Sequence, residues 1–499
     1  MTDPRTAYQE LETRFARHAK LSEVTELLHW DMATMMPDGG AEARAAQLAT
    51  LKVLGHDMMT DPALGDYLDA AAEDRSLDPW QQANLREMRH AWLRTNAVDK
   101  RIVEALSDAS LRCEMIWREA RAKSDFALVR PALDTVLGLV RERAGQLAGA
   151  LGLDAYDALL DGYEPGGRAA DIDVVFSELA RFLPDFIGRV LERQSSRPAP
   201  LALPGPFDLG AQRRLCRALM QAVGFDFRHG RLDESHHPFC GGVPEDVRLT
   251  TRYDADDFMQ GIMGVLHETG HALYDQGLPA QWRHQPVGEA RGMSIHESQS
   301  LLIEMQASRS REFIGYLAPL LRDAFGGAGP AWEADNLHAH YVRVERSFIR
   351  VDADEVTYPA HVILRYRLER ALIGGDMTLG DLPGAWNDGM KELLGVVPAN
   401  DALGCLQDLH WYAGSWGYFP TYTLGAMSAA QLYQAAAAAV PGIPAALGKG
   451  DFRPLMGWLR EHVHARGSLL SSPELLAEAT GRSLDPKAFE RHLSQRYLA

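Results

Sequence analysis

The residues with the clearest chemical meaning lie at 267–271, where the chain reads His-Glu-Thr-Gly-His. On a helix, positions i and i+4 lie on one face, so His267 and His271 can bind one metal ion. Glu268 lies one residue round the helix, where its carboxylate can take a proton from water activated by that metal. The pentapeptide therefore predicts a metal-dependent hydrolase with two histidine ligands and Glu268 as general base.

A catalytic zinc ion needs a third protein ligand and an open coordination position. Glu297 follows His271 by 26 residues, and a glutamate on a following helix completes a two-histidine, one-glutamate set. His296 competes for this role, because imidazole also binds zinc. The three-histidine pattern HExxHxxGxxH would place its last histidine at position 277, which is Gly277 here. Glu297 is therefore the predicted third ligand.

The elements that must hold these residues are mostly helices, because apolar residues recur at three- and four-residue spacing. The helix of the pentapeptide is expected to begin after Asp256 or Asp257 and to stop at Gly277, and Gly270 indicates close packing. Two apolar stripes indicate further helices: Val174, Phe176, Leu179, Phe182, Phe186 and Val190 in one, and Leu301, Leu302, Met305, Phe313 and Leu317 in the other.

Strand-like sequence is rare, and the best candidate is 247–253 (VRLTTRY), which follows a Gly-Gly-Val-Pro turn. The sequence therefore predicts a mainly α protein with a small sheet. A connection between lobes is expected at 195–210, which holds four prolines and two glycines. Residues 411–448 contain no Asp, Glu, Lys or Arg, which indicates buried packing around an interior site.

Composition excludes several classes of protein. The 499 residues include 51 Lys plus Arg and 68 Asp plus Glu, a net charge of −17, with 46% hydrophobic residues. This is the composition of a soluble globular protein, and the charge disfavours nucleic acid or anionic membrane as a partner. No apolar run reaches the 18 residues typical of a membrane span.

Cysteine usage and the N-terminal segment favour a cytoplasmic protein. The four cysteines have no paired spacing, so neither a metal site nor a disulfide framework is predicted from them: Cys113, Cys216, Cys240 and Cys405. The first 20 residues contain no apolar core of a secretory signal.

Several further blocks make the chain resemble the thermostable (Taq-type) zinc metallocarboxypeptidases. The blocks run from about residue 29 to residue 422, so the resemblance covers most of the chain. Besides 267–271 they are 29–37 (HWDMATMMP), 237–239 (HPF), 246–250 (DVRLT), 296–299 (HESQ), 349–354 (IRVDAD), 404–411 (GCLQDLHW) and 417–422 (GYFPTY). Ordered blocks of this kind are far more specific than one pentapeptide.

The resemblance implies a largely helical, neurolysin-like peptidase fold with a deep active-site groove, built from residues 1–499 as one domain with two lobes. It implies a homodimer that removes single C-terminal residues, with broad specificity, from peptides carrying a free C-terminal carboxylate. The implied cofactor is Zn²⁺ on His267, His271 and Glu297, and Co²⁺ or Mn²⁺ can occupy such a site. Residues 411–448 then form a wall of the groove.

The resemblance implies that Arg350 holds the C-terminal carboxylate of the substrate, and a planar guanidinium is well suited to bind a carboxylate. The alternative role is a structural ion pair with Asp352 or Asp354. Arg248 is the rival carboxylate binder, although Asp246 two residues earlier is placed to pair with it.

The remaining candidates surround the expected substrate. His237 closes one end of the groove or contacts the substrate, or it is simply a turn histidine. His410 is a candidate donor to a substrate carbonyl, and either Tyr418 or Tyr422 donates to the oxyanion of the reaction. Two carboxylates are candidates for orienting a ligand histidine, with a helix cap or an ion pair as the alternative for each: Asp354 and Asp408.

Two other functions compete with a zinc carboxypeptidase. A zinc oligopeptidase that cuts short peptides internally would share the metal and Glu268 but would not need Arg350. A helical binding scaffold would hold a structural zinc or none. Structural zinc sites are often rich in cysteine, and no cysteine accompanies these residues, so the scaffold is disfavoured.

Overall fold

The computed structural model describes residues 3–499, and helices carry most of them. The helices are α1 (Pro4–Thr34), α2 (Ala41–Met59), α3 (Pro62–Ala72), α4 (Pro79–Asn96), α5 (Lys100–Lys123), α6 (Phe126–Leu151), α7 (Ala155–Leu160), α8 (Ala169–Ser195), α9 (Leu209–Val223), α10 (Phe258–Asp275), α11 (Met293–Leu301), α12 (Arg311–Phe325), α13 (Ala334–Tyr341), α14 (Tyr358–Gly374), α15 (Leu382–Leu394), α16 (Pro420–Ala439), α17 (Ile443–Leu447), α18 (Arg453–His462), α19 (Ser472–Thr480) and α20 (Pro486–Tyr497). A π-helical segment, Leu302–Ser308, continues α11. The prediction of a mainly α fold with a small sheet is confirmed.

The sheet has three strands: β1 (Gly230–Glu234), β2 (Cys240–Val243) and β3 (Asp246–Thr251). β3 lies in the centre, parallel to β1 and antiparallel to β2. The predicted strand is therefore present as β3, which begins one residue earlier and ends at Thr251. Val247 and Leu249 of β3 are buried in the same apolar core as Val265 and Leu266 of α10, so the sheet supports the helix of the pentapeptide.

Two large apolar cores hold the helices together. One is built around α5 to α8, α14 and α15, and the other around α9 to α12, α18 and the sheet. α16 contributes to both, through Met427 and Ala430 on one side and Leu432 and Ala436 on the other. This helix lies in the charge-free stretch, and burial on two sides explains why it carries no charged residue.

The predicted stripe of α8 is correct except at its first member. Phe176, Leu179, Phe186 and Val190 are buried, but Val174 is 68% exposed. At about 100° per residue, Val174 points roughly 200° away from Phe176, and Ile172 takes the inward position instead. Phe182 is half-buried against the same core.

The second predicted stripe does not form one helix. α11 ends at Leu301, the π-helical segment follows, and α12 begins at Arg311 because the Ser310 hydroxyl accepts a hydrogen bond from the backbone N–H of Phe313. The apolar residues of the stripe are buried or half-buried, but three helical pieces carry them.

α10 begins as predicted, with the Asp257 carboxylate accepting hydrogen bonds from the backbone N–H groups of Met259 and Gln260. It ends at Asp275, and Gly277 lies beyond it in a tight contact. A Cβ on Gly277 would stand 2.6 Å from Nδ1 of His464. Among residues 3–499, no helix combines the length and apolar character needed to cross a membrane.

Candidate active site

The pentapeptide helix α10 and the following helix α11 approach each other backbone to backbone. A Cβ on Gly270 would lie 2.5 Å from the carbonyl oxygen of Gln299 and 2.5 Å from Cα of Ser300. Only glycine permits this distance, so the close packing expected at Gly270 is present. Gly425 of α16 permits a similar close approach on the other side of α11, because a Cβ added there would lie 2.8 Å from Cβ of Glu297. The two glycines let three helices meet around Glu297.

This approach brings His267, His271 and Glu297 together. Oε2 of Glu297 lies 3.4 Å from Nε2 of His271 and 3.8 Å from Nε2 of His267. Three donor atoms bound at normal zinc distances in a tetrahedron are about 3.4 Å apart. The group therefore fits a metal ion. Within residues 3–499, no other three His, Cys, Asp or Glu residues bring their donor atoms within 4.8 Å of one another.

His296 does not belong to this group of donor atoms. Its Nε2 lies 3.3 Å from Oδ1 of Asp275, and its ring stacks on His271 with ring centroids 4.5 Å apart. The neighbouring Glu297 instead points its carboxylate between the two ligand histidines. Of the two candidates for the third ligand, Glu297 is the one whose carboxylate lies close to both His267 and His271.

The group carries an excess of negative charge that suits a cation. Burial would lower the pKa of His267, but the carboxylates of Glu297, Glu304 and Glu268 raise it to about 10. Burial raises the pKa of Glu268 to about 7, with Glu297 adding to the effect although His267 opposes it. Arg309 already pairs with Glu304, so a divalent ion among the donors would stabilise chiefly the carboxylates of Glu297 and Glu268.

Arg350 lies in a buried cluster with Arg365 and Asp408. Nε and Nη2 of Arg350 donate to Oδ1 of Asp408 at 3.0 and 2.7 Å, and Nη1 donates to the Tyr358 hydroxyl at 2.6 Å. Arg365, which is fully buried, donates through Nε to Oδ2 of the same carboxylate at 2.6 Å. Arg350 does form an ion pair, as the alternative role proposed, but its partner is Asp408 and not Asp352 or Asp354.

Two guanidiniums share one carboxylate in this cluster, so one positive charge is not neutralised. Burial, together with the charge of Arg350, lowers the pKa of Arg365 to about 10, although Asp408 opposes this. Burial would raise the pKa of Asp408, but the two arginines hold it well below its usual range. The cluster is thus a buried site with a net charge of about +1.

Arg248 and His237 are placed differently. The Asp246 carboxylate accepts from Nη2 of Arg248 at 2.7 Å, and the guanidinium lies 4.4 Å from the ring centroid of Trp30 in α1. His237 has an exposed side chain on the loop between β1 and β2, and its ring makes no hydrogen bond to another residue of 3–499. Its carbonyl oxygen accepts from the Ser235 hydroxyl at 2.6 Å, which anchors the turn.

Aromatic residues pack beside the arginine cluster. Nε2 of His410 lies 3.4 Å from the Tyr422 hydroxyl oxygen, and the Tyr422 ring centroid lies 5.0 Å from Cζ of Arg350. The rings of Tyr418 and Tyr422 pack edge to face at 5.1 Å. Burial and the charge of Glu297 raise the pKa of Tyr418 to about 12, so its phenol stays a proton donor. Burial and the charge of Arg350 lower the pKa of His410 to about 4, which keeps its ring neutral.

The carboxylate that contacts a ligand histidine is neither of the two expected ones. Asp354 accepts from the backbone N–H groups of Glu345, Val356 and Thr357, and Asp408 pairs with the two arginines. Instead, Oε2 of Glu304 lies 3.0 Å from Nδ1 of His267.

Sequence reasoning missed Glu304, Tyr358 and Arg365. The available indication for Glu304 was one charged residue within the apolar run Leu301–Met305. For Arg365 the indication was a charged residue among apolar residues of α14. That residue can be recognised as buried only once the structure shows that its face of the helix is buried.

A cavity of about 790 Å³ opens at the C-terminal end of α10. It lies between α1, the β2–β3 turn and the C-terminal end of α10, and Phe15, Val243 and Asp275 are among its walls. Asp275 lies 3.3 Å from His296, whose ring stacks on His271. The small sheet lines one side of this cavity, through Gly242 and Val243 of β2.

Comparison with known proteins gives matches over almost the whole chain. The chain is 39% identical to thermostable carboxypeptidase 1 of Thermus thermophilus over 507 residues, covering 99% of each chain. It is 34% identical to carboxypeptidase 1 of Bacillus subtilis over 495 residues, covering 96% of each. Among solved structures, Trypanosoma cruzi metallocarboxypeptidase 1 superposes with a TM-score of 0.97 at 40% identity, covering 99% of this chain and 100% of the other.

A second solved structure agrees with the first. The M32 carboxypeptidase of Deinococcus radiodurans R1 has a TM-score of 0.93 at 34% identity, covering 99% of both chains. The family model described as "Carboxypeptidase Taq (M32) metallopeptidase" matches residues 10–497. With a matched fold, a His-His-Glu group and a family match over nearly all of its length, the chain belongs to the carboxypeptidase Taq (M32) metallopeptidase family.

Proposed function

We propose that this metallocarboxypeptidase binds one Zn²⁺ through His267, His271 and Glu297 and hydrolyses the last peptide bond of its substrates. When bound, such an ion lowers the pKa of a water ligand and polarises the scissile carbonyl, and Co²⁺ or Mn²⁺ can replace it. The donor spacing of 3.4 and 3.8 Å and the surrounding carboxylates support this ligand set.

Glu268 is the proposed general base. It follows His267 directly on α10, it is 8% exposed, and its carboxyl lies close enough to His267 and Glu297 for their charges to act on its pKa. Its carboxylate takes a proton from the attacking water and then delivers that proton to the leaving amine nitrogen. One phenol, of Tyr418 or of Tyr422, donates to the oxyanion, with the neutral ring of His410 beside it.

The exopeptidase assignment rests on the unneutralised charge of the Arg350 cluster. A peptide's terminal carboxylate would compensate that charge, and Tyr422 lies between the two sites: its ring centroid is 5.0 Å from Cζ of Arg350, and the charge of Glu297 acts on its pKa. Arg248 is the weaker candidate, because Asp246 already matches its charge. In a protein of net charge −17, attraction of an anionic terminus must come from such a local cation.

Further parts of the proposal concern substrate range and assembly. The enzyme acts on peptides with many different C-terminal residues, since the residues argued to bind substrate contact its main-chain groups. It works as a homodimer in the cytoplasm, and residues 195–210 connect its two lobes. His237, on the exposed turn before β2, contributes to the end of the groove.

Paired peptides that differ only at their C-terminus test the assignment. The wild-type enzyme should release the last residue of the free acid and leave the amide uncleaved. Arg350→Met should lower kcat/KM for the free acid mainly through KM, whereas Arg248→Met, its matched control, should stay near wild type. Equal cleavage of acid and amide, with internal fragments, would instead establish the oligopeptidase alternative.

A further inference from the structure

The two histidines of the metal group differ in what holds their second ring nitrogen. Nδ1 of His267 lies 3.0 Å from Oε2 of Glu304. Nδ1 of His271 is buried and has no hydrogen-bond partner among residues 3–499. Only His267 is therefore held by a carboxylate from behind, and Glu304 is itself only 8% exposed.

We infer that Glu304 is a positioning residue that fixes the ring of His267 for metal binding. A hydrogen bond from Nδ1–H to a carboxylate selects the tautomer whose Nε2 carries the free lone pair, and it sets the plane of the ring. This inference rests on the ligand set proposed above and adds to it a residue that touches neither metal nor substrate.

The π-helical segment Leu302–Ser308 carries Glu304 to this position. Along the contact between the helices, Gly270 meets Gln299 and Ser300 whereas His267 meets Glu304, so α10 and α11 with its continuation run antiparallel. Glu304 thus follows Glu297 on one continuous element: Glu297 lies against both histidines, and Glu304 lies against His267 alone. π-helical turns are rare and are frequent at functional sites.

Two arginines hold this unusual turn in place. Nη2 of Arg309 donates to Oε1 of Glu304 at 2.6 Å, which leaves Oε2 free for His267. Arg496, from the last turn of α20, donates to the carbonyl oxygens of Met305 and Gln306. Those carbonyls lie in the final turn of the segment, where intrahelical partners run out, so the C-terminal helix caps the turn that presents Glu304.

Zinc affinity is the property that a positioning role changes. The test measures the Zn²⁺ dissociation constant of the purified holoenzyme by competition with a chromophoric chelator. Glu304→Gln and Glu304→Ala should each weaken Zn²⁺ binding by about 10- to 100-fold, and the alanine variant should show the larger loss of affinity. The visible absorption bands of the Co²⁺-loaded variants should shift, because those bands report the geometry of the ligands.

Controls separate positioning from folding and from the ligand set itself. Glu369→Gln alters a still more deeply buried carboxylate, on α14, that accepts hydrogen bonds from Trp411 and Tyr156, and it should keep wild-type zinc affinity. Arg309→Lys weakens the contact that holds Glu304 but keeps Glu304 itself, and it should weaken zinc binding by a few fold. This variant still tests the inference if the Glu304 variants do not fold. His271→Ala should bind no zinc, and retention of zinc by that variant would refute the ligand set instead.

The outcome that overturns the inference is specific. If His271→Ala loses zinc while the folded Glu304 and Arg309 variants bind Zn²⁺ like wild type with unchanged Co²⁺ bands, Glu304 is only the ion-pair partner of Arg309.

Discussion

Gly270→Ala is the substitution whose consequence follows most directly from the structure. The added Cβ would lie 2.5 Å from the carbonyl oxygen of Gln299 and 2.5 Å from Cα of Ser300, where ordinary contact begins at 3.4 Å. The deficit is about 0.9 Å, and both obstacles are backbone atoms, so no side-chain rotation relieves it. α10 and α11 must therefore move apart by about 1 Å.

Movement of that size affects both stability and the metal. Overpacking of a core costs about 1–3 kcal/mol, which outweighs the roughly 1 kcal/mol that alanine gains over glycine in a helix. Metal–ligand distances tolerate only about 0.2 Å, so shifting Glu297 by about 1 Å relative to His271 should weaken zinc binding by at least about tenfold. The Tm and the zinc content after dialysis report the two effects separately.

Gly264→Ala is the matched control on the same helix. A Cβ there meets no atom within 4 Å, so this variant should be as stable as wild type or more stable by up to about 1 kcal/mol, with full zinc content. The reasoning about helix contact is refuted if Gly270→Ala matches Gly264→Ala in both Tm and zinc content.

Three further outcomes are expected. Asp161 accepts from Nε2 of His90 and Nη1 of Arg94, and although burial opposes them these contacts lower its pKa to about 2. The folded-state pKa lies below the unfolded value, so this carboxylate stabilises the protein by about 2 kcal/mol above pH 4 and loses the effect as the pH falls from about 4 to 2. The Tm advantage of wild type over Asp161→Asn should shrink as the pH falls from about 4 towards 2; a constant advantage from pH 5 down to pH 3 would contradict it. Tyr358→Phe removes the hydroxyl that accepts from Nη1 of Arg350 at 2.6 Å, and KM for free-acid peptides should rise by about 3- to 10-fold with kcat little changed, whereas an effect confined to kcat would argue against a binding role. Removal of metal with a chelator should lower the Tm, and added Zn²⁺ should restore it because the ion binds only the folded site; an unchanged Tm would show that the site does not bind metal in solution.

The sequence predicts the part of the site that depends on local spacing. His267 and His271 come together because four residues make about one helical turn, and β3 and the start of α10 follow from strand composition and an N-cap. Glu297 could be predicted because a catalytic zinc site needs a third donor, which a glutamate on a following helix can supply.

The rest of the site depends on long-range choices that spacing does not encode. Arg350 had nearby carboxylates at positions 352 and 354, yet it pairs with Asp408, 58 residues away, because that carboxylate is buried with Arg365. Glu304 reaches His267 through a π-helical turn, and the regular helical period used to interpret 301–317 does not describe such a turn. The prediction that Val174 faces the core was wrong for a simpler reason, since an apolar residue can also lie on the exposed side of a helix.

The central claim is that Glu268 activates water while His267, His271 and Glu297 hold the metal. Glu268→Gln keeps the shape of the side chain and removes the base, and Glu297→Gln serves as the ligand control. The decisive measurement is zinc content together with kcat/KM for release of the C-terminal residue from a free-acid peptide. Glu268→Gln should retain one zinc per chain and lose about 10²- to 10⁴-fold in kcat/KM, whereas Glu297→Gln should lose zinc and activity together. Wild-type activity in Glu268→Gln, or loss of its zinc, would contradict the account.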